Sequence, residues 1–206
     1  TQPYSTTTTA AVFTTNDGIL KKMIKRFQNP KSKLRAAGTL LYENIADGVN
    51  YVDFFNEFEL KDTFNSWFLI TELHVWLLCT RAMEEGSDNK EDGRLIRNFL
   101  VEAMWADVQQ RSKKLGADNP SLKRKQIELL SEQFQATLIS YDEGLWHDDK
   151  ALANALWKRF FEAKCDDFTK LELLVKYVRK SAKVLDETSR VQLVERPKIN
   201  WVPLND

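Results

Sequence analysis

The sequence predicts an all-α fold: a single bundle of about seven helices, preceded by a disordered N-terminal stub and followed by an extended C-terminal tail. Three observations carry this. Apolar residues recur every three and four positions along nearly the whole chain, the period of a helix with one buried face. Only 7 glycines and 5 prolines punctuate 206 residues, too few for the turns of a many-stranded sandwich. A 43% apolar and 11% aromatic content supplies a sizeable core.

The elements follow in order. Leu20, Met23, Ile24 and Phe27 mark a short first helix. Asn29-Pro30 opens a second, with asparagine as N-cap and proline pre-set for the first helical position, and Leu34, Ala37, Leu41, Ile45 and Val49 as its stripe. Gly48 and Asn50 weaken its end. Residues 51–60 carry Tyr51, Phe54, Phe55 and Phe58 and are expected to form a turn of helix or a packed connector. A third helix spans Asp62 to Glu85, followed by an acidic loop from Ser87 to Gly93. A fourth is expected from Arg94 to Leu115.

Asn119-Pro120 repeats the cap-plus-proline start, and Ile127, Leu130, Phe134, Leu138 and Tyr141 stripe a fifth helix that Gly144 is expected to close. Asp148 begins a sixth, with Leu152, Ala155, Leu156 and Phe160. Thr169 with Glu172 has the spacing of a capping box opening a seventh. After Asp186 the periodicity fades, and residues 199–203 read as extended. Two regions result: 1–16, acid-free and threonine-rich, with the character of a transit-peptide remnant, and 17–206, the helical domain.

Charge and chemistry exclude more than they assign. The 30 basic and 30 acidic residues cancel, so no global field marks a nucleic-acid binder. Locally, Lys21, Lys22, Lys25 and Arg26 form one basic face. Lys113, Lys114, Lys123 and Arg124 gather around a predicted turn near Arg111 and Lys125. These are candidate contacts for ribosomal RNA or anionic lipid, against the ordinary alternative of solvated helix faces. Cys79 and Cys165 lie outside any metal-like spacing, and a reducing compartment is expected. No motif for a nucleophile elbow, phosphate loop, zincin or dinucleotide fold is present. No cofactor is expected. Asp142, Glu143, His147, Asp148 and Asp149 make the one acidic constellation that a helical metal-dependent hydrolase would use, and helix capping is the competing reading.

The helix over 62–85 is apolar nearly all round, leaving a thin polar stripe of Asn65, Glu72 and Cys79. It reads as the centre of the bundle. A domain this small is expected to leave one of its faces to a partner, and Trp67, Trp76 and Trp105 suit such an interface. His74 within it reads as a half-buried, hydrogen-bonded histidine, with metal or haem ligation as the alternative.

Residues 62–78 (DTFNSWFLITELHVWLL) and 104–111 (MWADVQQR), followed in order by 141–145 (YDEGL), 155–161 (ALWKRFF) and 171–180 (LELLVKYVRK), resemble the ubiquinol–cytochrome c chaperone family, and the likeness runs from about Leu20 to Leu204. The resemblance implies an all-helical, non-enzymatic assembly chaperone on the matrix side of the mitochondrial inner membrane, peripherally associated with it. It implies a heterodimer with a small helical assembly factor at the mitoribosome tunnel exit, where the pair captures newly synthesised cytochrome b for complex III. The signature positions carried over as candidate partner-binding residues are Phe64, Trp67, Phe68, Thr71, His74, Trp76, Trp105, Asp107, Gln110 and Arg111. No catalytic or metal-ligating residue is implied.

Overall fold

A computed structural model describes residues 30–85, 90–114 and 120–205 of the chain. Within them every regular element is a helix, with no strand. The elements are α1 (Pro30–Gly48), α2 (Tyr51–Glu57), α3 (Phe64–Glu84), α4 (Lys90–Lys114), α5 (Pro120–Trp146), α6 (Asp149–Arg159) and α7 (Phe168–Asp186), followed by a π-helical turn, Val191–Glu195. The expected helix over 20–27, the stub over 1–16 and the cap at Asn29 lie outside the described residues.

α3 is the axle, touching α1, α2, α4, α5 and α7. Its start is set by Thr63, whose hydroxyl accepts from the Ser66 N–H at 3.2 Å and satisfies one of the free amides of the first turn. From Phe68 through Cys79 every residue of α3 is buried. Each large apolar side chain taken from water there contributes about 1.5–3 kcal/mol.

The domain therefore covers α3 from Phe68 to Cys79 by itself, and the expectation that a whole face is left to a partner is corrected; exposure remains only towards the ends, at residues such as Asn65, Trp67 and Met83. Of the polar stripe only Asn65 is solvated. Glu72 is buried against Arg159 of α6, and burial pushes the Cys79 thiol up to about 12. Enough cover exists because α2, the α6–α7 corner and the C-terminal tail close the sides that α1, α4 and α5 leave open.

Three boundaries differ from the sequence expectation, two of them for a tertiary reason and one for a local one. α4 begins at Lys90, inside the expected acidic loop, because Asp92 is held by Arg190 at 2.7 Å and its charge favours a helix N-terminus. α5 runs through Gly144 to Trp146. A Cβ on Gly144 would sit 2.8 Å from Leu152 Cα, so the glycine serves the close crossing of α6, and Arg179 of α7 caps α5 by donating to the Leu145 carbonyl at 2.6 Å. α7 is capped by Asp167, which accepts from Thr169 N at 2.9 Å; Thr169 is inside the helix and not its cap.

The tail is structured beyond what fading periodicity implies. After the π-helical turn, residues 197–203 cross α1, pinned by Asn44, which accepts from the Ile199 N–H at 3.0 Å and donates to the Pro197 carbonyl at 3.3 Å. Trp201 donates to the Asn44 carbonyl at 2.9 Å and sets its ring edge-on to His74, centroids 4.7 Å apart.

Candidate functional site

The second signature lies on α4 and the first on α3, and their polar members converge beside α1. Asp107 and Arg111 are one turn apart on α4. The Arg111 Nε–H is shared between both Asp107 carboxylate oxygens at 2.9 and 3.0 Å. Tyr42 of α1 donates to Asp107 Oδ2 at 2.7 Å. Burial raises the Tyr42 phenol well above its ordinary range, and the neighbouring Asp107 carboxylate adds to this, so the hydroxyl stays a donor. The Arg111 guanidinium carbon lies 4.3 Å over the Trp67 ring, and Phe64 packs on that ring at 5.4 Å.

The assembly is anchored from beneath. Thr71 donates to the Trp67 carbonyl at 2.9 Å, which leaves its oxygen to accept from Tyr51 at 3.0 Å. Trp67 and Arg111 are thus held by α2, α3 and α4 together.

Beside this cluster an open groove of about 570 Å³ runs between α1 and α4. Small residues, Ala46, Ala103 and Ala106, floor it, and Glu43, Asp47, Asp107, Gln110 and Arg111 border it. At its far end Arg35 pairs with Glu102 at 2.6 Å and lies over Phe99. A groove with a small-residue floor and a charged rim suits the surface of another helix. A second concavity of similar volume lies between the α2–α3 and α6–α7 corners, over Phe58, Leu69, Phe160 and Phe161. Glu59, Glu162 and Ala163, the non-glycine residues with positive φ among those described, flank it.

The candidate residues divide accordingly. Trp67, Asp107, Gln110 and Arg111 reach the groove or its edge, and Phe64 adjoins them half-buried. Phe68, Thr71, His74 and Trp76 are core residues with no surface to offer a partner. Trp105 faces inward, packed between Phe68 at 5.9 Å and Phe134 at 5.8 Å.

His74 is fully buried rather than half-buried. Its Nδ1–H donates to the Ile70 carbonyl at 2.7 Å, and its Nε2 accepts from the Tyr177 hydroxyl at 2.6 Å. Burial lowers its pKa to about 4 and keeps the ring neutral. Both nitrogens are occupied, so the ligand alternative has no free donor atom.

The acidic constellation is dispersed. Asp142 accepts from Trp76 Nε1 at 2.7 Å, Asp148 caps α6 by accepting from Ala151 N at 2.8 Å, and Asp149 pairs with Arg179 at 2.9 Å. Among the described residues no three His, Cys, Asp or Glu side chains gather to hold a metal.

Of the basic candidates, Lys113 and Lys114 are exposed in the last turn of α4, where positive charge suits the helix dipole. Arg124 is exposed on α5 and pairs with Glu128 at 3.2 Å. Lys21, Lys22, Lys25, Arg26 and the side chain of Lys123 lie outside the described residues. Among the described residues no helix is long and apolar enough to cross a membrane.

The sequence reading missed Tyr42, Tyr51 and Glu72 as members of these networks. Glu72 carried a signal, an acid inside an apolar run; the tyrosines carried none.

The model of the family described as ubiquinol-cytochrome C chaperone matches residues 56–200. The ubiquinol-cytochrome c reductase complex assembly factor 1 of Drosophila melanogaster is 57% identical over 191 residues, covering 91% of this chain and 74% of that protein. The protein of the same name in Homo sapiens is 41% identical, over 84% of this chain and 56% of its own length. Protein CBP3, mitochondrial, of Saccharomyces cerevisiae is 27% identical, over 81% and 53%. The crystal structure of the Cbp3 homolog from Brucella abortus shares the fold, with a TM-score of 0.71 at 19% identity, covering 90% of this chain and 98% of that one. The family is one of assembly chaperones and not of enzymes, which sets aside the metal-dependent hydrolase. This chain belongs to the ubiquinol–cytochrome c chaperone family.

Proposed function

We propose that the chain is a non-enzymatic assembly chaperone for mitochondrial respiratory complex III. With a small helical partner it binds and stabilises newly synthesised cytochrome b, at the mitoribosome tunnel exit on the matrix side of the inner membrane. The observation that carries this reading is the meeting of Asp107, Gln110 and Arg111 of the second signature with Tyr42 on one open groove, while Trp67 of the first signature, about forty positions away, stacks on Arg111 beside it. A helix from the small partner fits the groove between α1 and α4: its small-residue floor admits close approach, and the Asp107–Arg111 pair offers a fixed donor and acceptor at the rim.

The test is recovery of the complex from mitochondria. Arg111→Ala together with Gln110→Ala is expected to lose the small helical partner and newly made cytochrome b while the chain stays folded. Undiminished recovery of both overturns the assignment of the groove.

A basic tether is compatible with this reading and rests on the exposed Lys113 and Lys114. Charge reversal at both is expected to weaken association with mitoribosomes or anionic vesicles, most clearly at low salt. Association unchanged by reversal removes those lysines from the tether.

A further inference from the structure

α5 has two faces, and the bundle uses one. Phe134, Thr137, Tyr141 and Gly144 are buried against the domain. On the opposite side Leu129, Ile139 and Trp146 are 54%, 62% and 81% exposed. They are not scattered. Lys125, Leu129, Glu132, Ala136, Ile139, Glu143 and Trp146 alternate in spacings of four and three without a break, and all are exposed. That is the spacing of a helix-pairing seam running nearly the whole helix.

The order of residues along the seam says what covers it. Turned end for end about the level of residue 134, the seam is complementary to itself: Leu129 comes opposite Ile139, Glu132 opposite Ala136, and Lys125 opposite Glu143. Lys125 and Glu143 have no ion-pair partner among the described residues of their own chain, and a two-fold axis makes the Lys125–Glu143 pair twice, giving each residue one partner. A parallel arrangement would instead set Glu132 on Glu132 and Glu143 on Glu143. We infer that α5 packs antiparallel against α5 of a second copy of this chain. The seam is a single helix face, less than the roughly 800 Å² per partner of a stable interface, so the dimer is weak and concentration-dependent. The inference does not depend on the groove between α1 and α4, which lies elsewhere on the molecule.

Sedimentation equilibrium on the purified 206-residue chain tests it. The mass is expected to rise from 24.0 kDa toward twice that value as the concentration reaches about 100 μM. Ile139→Asp is expected to hold it at 24.0 kDa throughout. Glu143→Lys sets Lys125 against a lysine and is expected to weaken the dimer about tenfold, and Lys125→Glu combined with Glu143→Lys restores it. All three positions are exposed, and helical circular dichroism verifies that the variants fold. A chain that stays at 24.0 kDa throughout overturns the inference, and so does a double swap as weak as the single change.

Discussion

Arg159 grips Glu72 from 87 positions away along the chain, its Nε and one terminal nitrogen donating to the two carboxylate oxygens at 2.7 and 2.9 Å. The Glu72 side chain is 0% exposed, so this pair decides whether a charge can sit in the middle of α3. Burial lifts the Glu72 carboxyl above its ordinary pKa, and Arg159 pulls it back.

Arg159→Met is expected to cost about 3–5 kcal/mol in urea denaturation near neutral pH, because it leaves an unpaired buried carboxylate. The folded-state pKa of Glu72 is raised, so the folded form holds its proton more tightly than the unfolded chain, and stability from this group falls as pH rises above the unfolded value. Losing Arg159 raises that pKa further. The deficit is therefore larger at pH 8 than at pH 5. The double variant Glu72→Leu with Arg159→Met is expected to recover most of the loss.

His74 makes the opposite dependence. Its folded pKa of about 4 lies below the unfolded value near 6.5, so the unfolded state binds the extra proton. Stability from the neutral ring is complete above about pH 6.5 and is lost as pH falls toward 4, a change of about 3 kcal/mol. His74→Phe is expected to cost about 1–3 kcal/mol at pH 7 by leaving the Tyr177 hydroxyl without its acceptor. Its stability is then flatter between pH 7 and 5, so the two proteins converge in acid unfolding curves.

Arg111→Ala separates binding from folding. The pair with Asp107 and the stack on Trp67 are solvent-accessible, and together they contribute less than about 1 kcal/mol to stability. A thermal shift of a few degrees at most is expected, alongside weakened partner recovery that Gln110→Ala added to it completes. Global unfolding would show that the cluster is a structural element first.

Gly38→Ala probes the contact of α1 with α4. The added Cβ would lie 2.6 Å from Phe99 Cβ and 2.9 Å from the Leu100 amide nitrogen, neither of which is a flexible chain end. The helices must move apart, at about 1–3 kcal/mol, which outweighs the gain of about 1 kcal/mol in helix propensity. Differential scanning calorimetry is expected to show a lowered Tm.

Local patterns account for much of the fold. Pro30, Pro120 and Asp148 mark helix starts in sequence, and the structure begins α1, α5 and α6 there, because capping and proline geometry act within one turn. Gly144 misled because a glycine marks either a helix end or a close crossing, and only the position of Leu152 distinguishes them. Asn44 gave no sign of holding the C-terminal tail, since its partners lie more than 150 positions away.

The same division runs through the candidate site. The sequence by itself determined an all-helical chain with an apolar axle at 62–85, the absence of any catalytic template, and the signature strings that place it in its family. Only the tertiary structure decided which signature residues face outward. Helical periodicity identifies a face but cannot say what covers it, and α3 is apolar nearly all round. The cover came from α2, α6, α7 and the tail, through contacts such as Glu72 with Arg159 and His74 with Tyr177 and Trp201. Burial there sends Phe68, Thr71, His74 and Trp76 inward and leaves Trp67, held under Arg111, at the surface where α1, α3 and α4 meet.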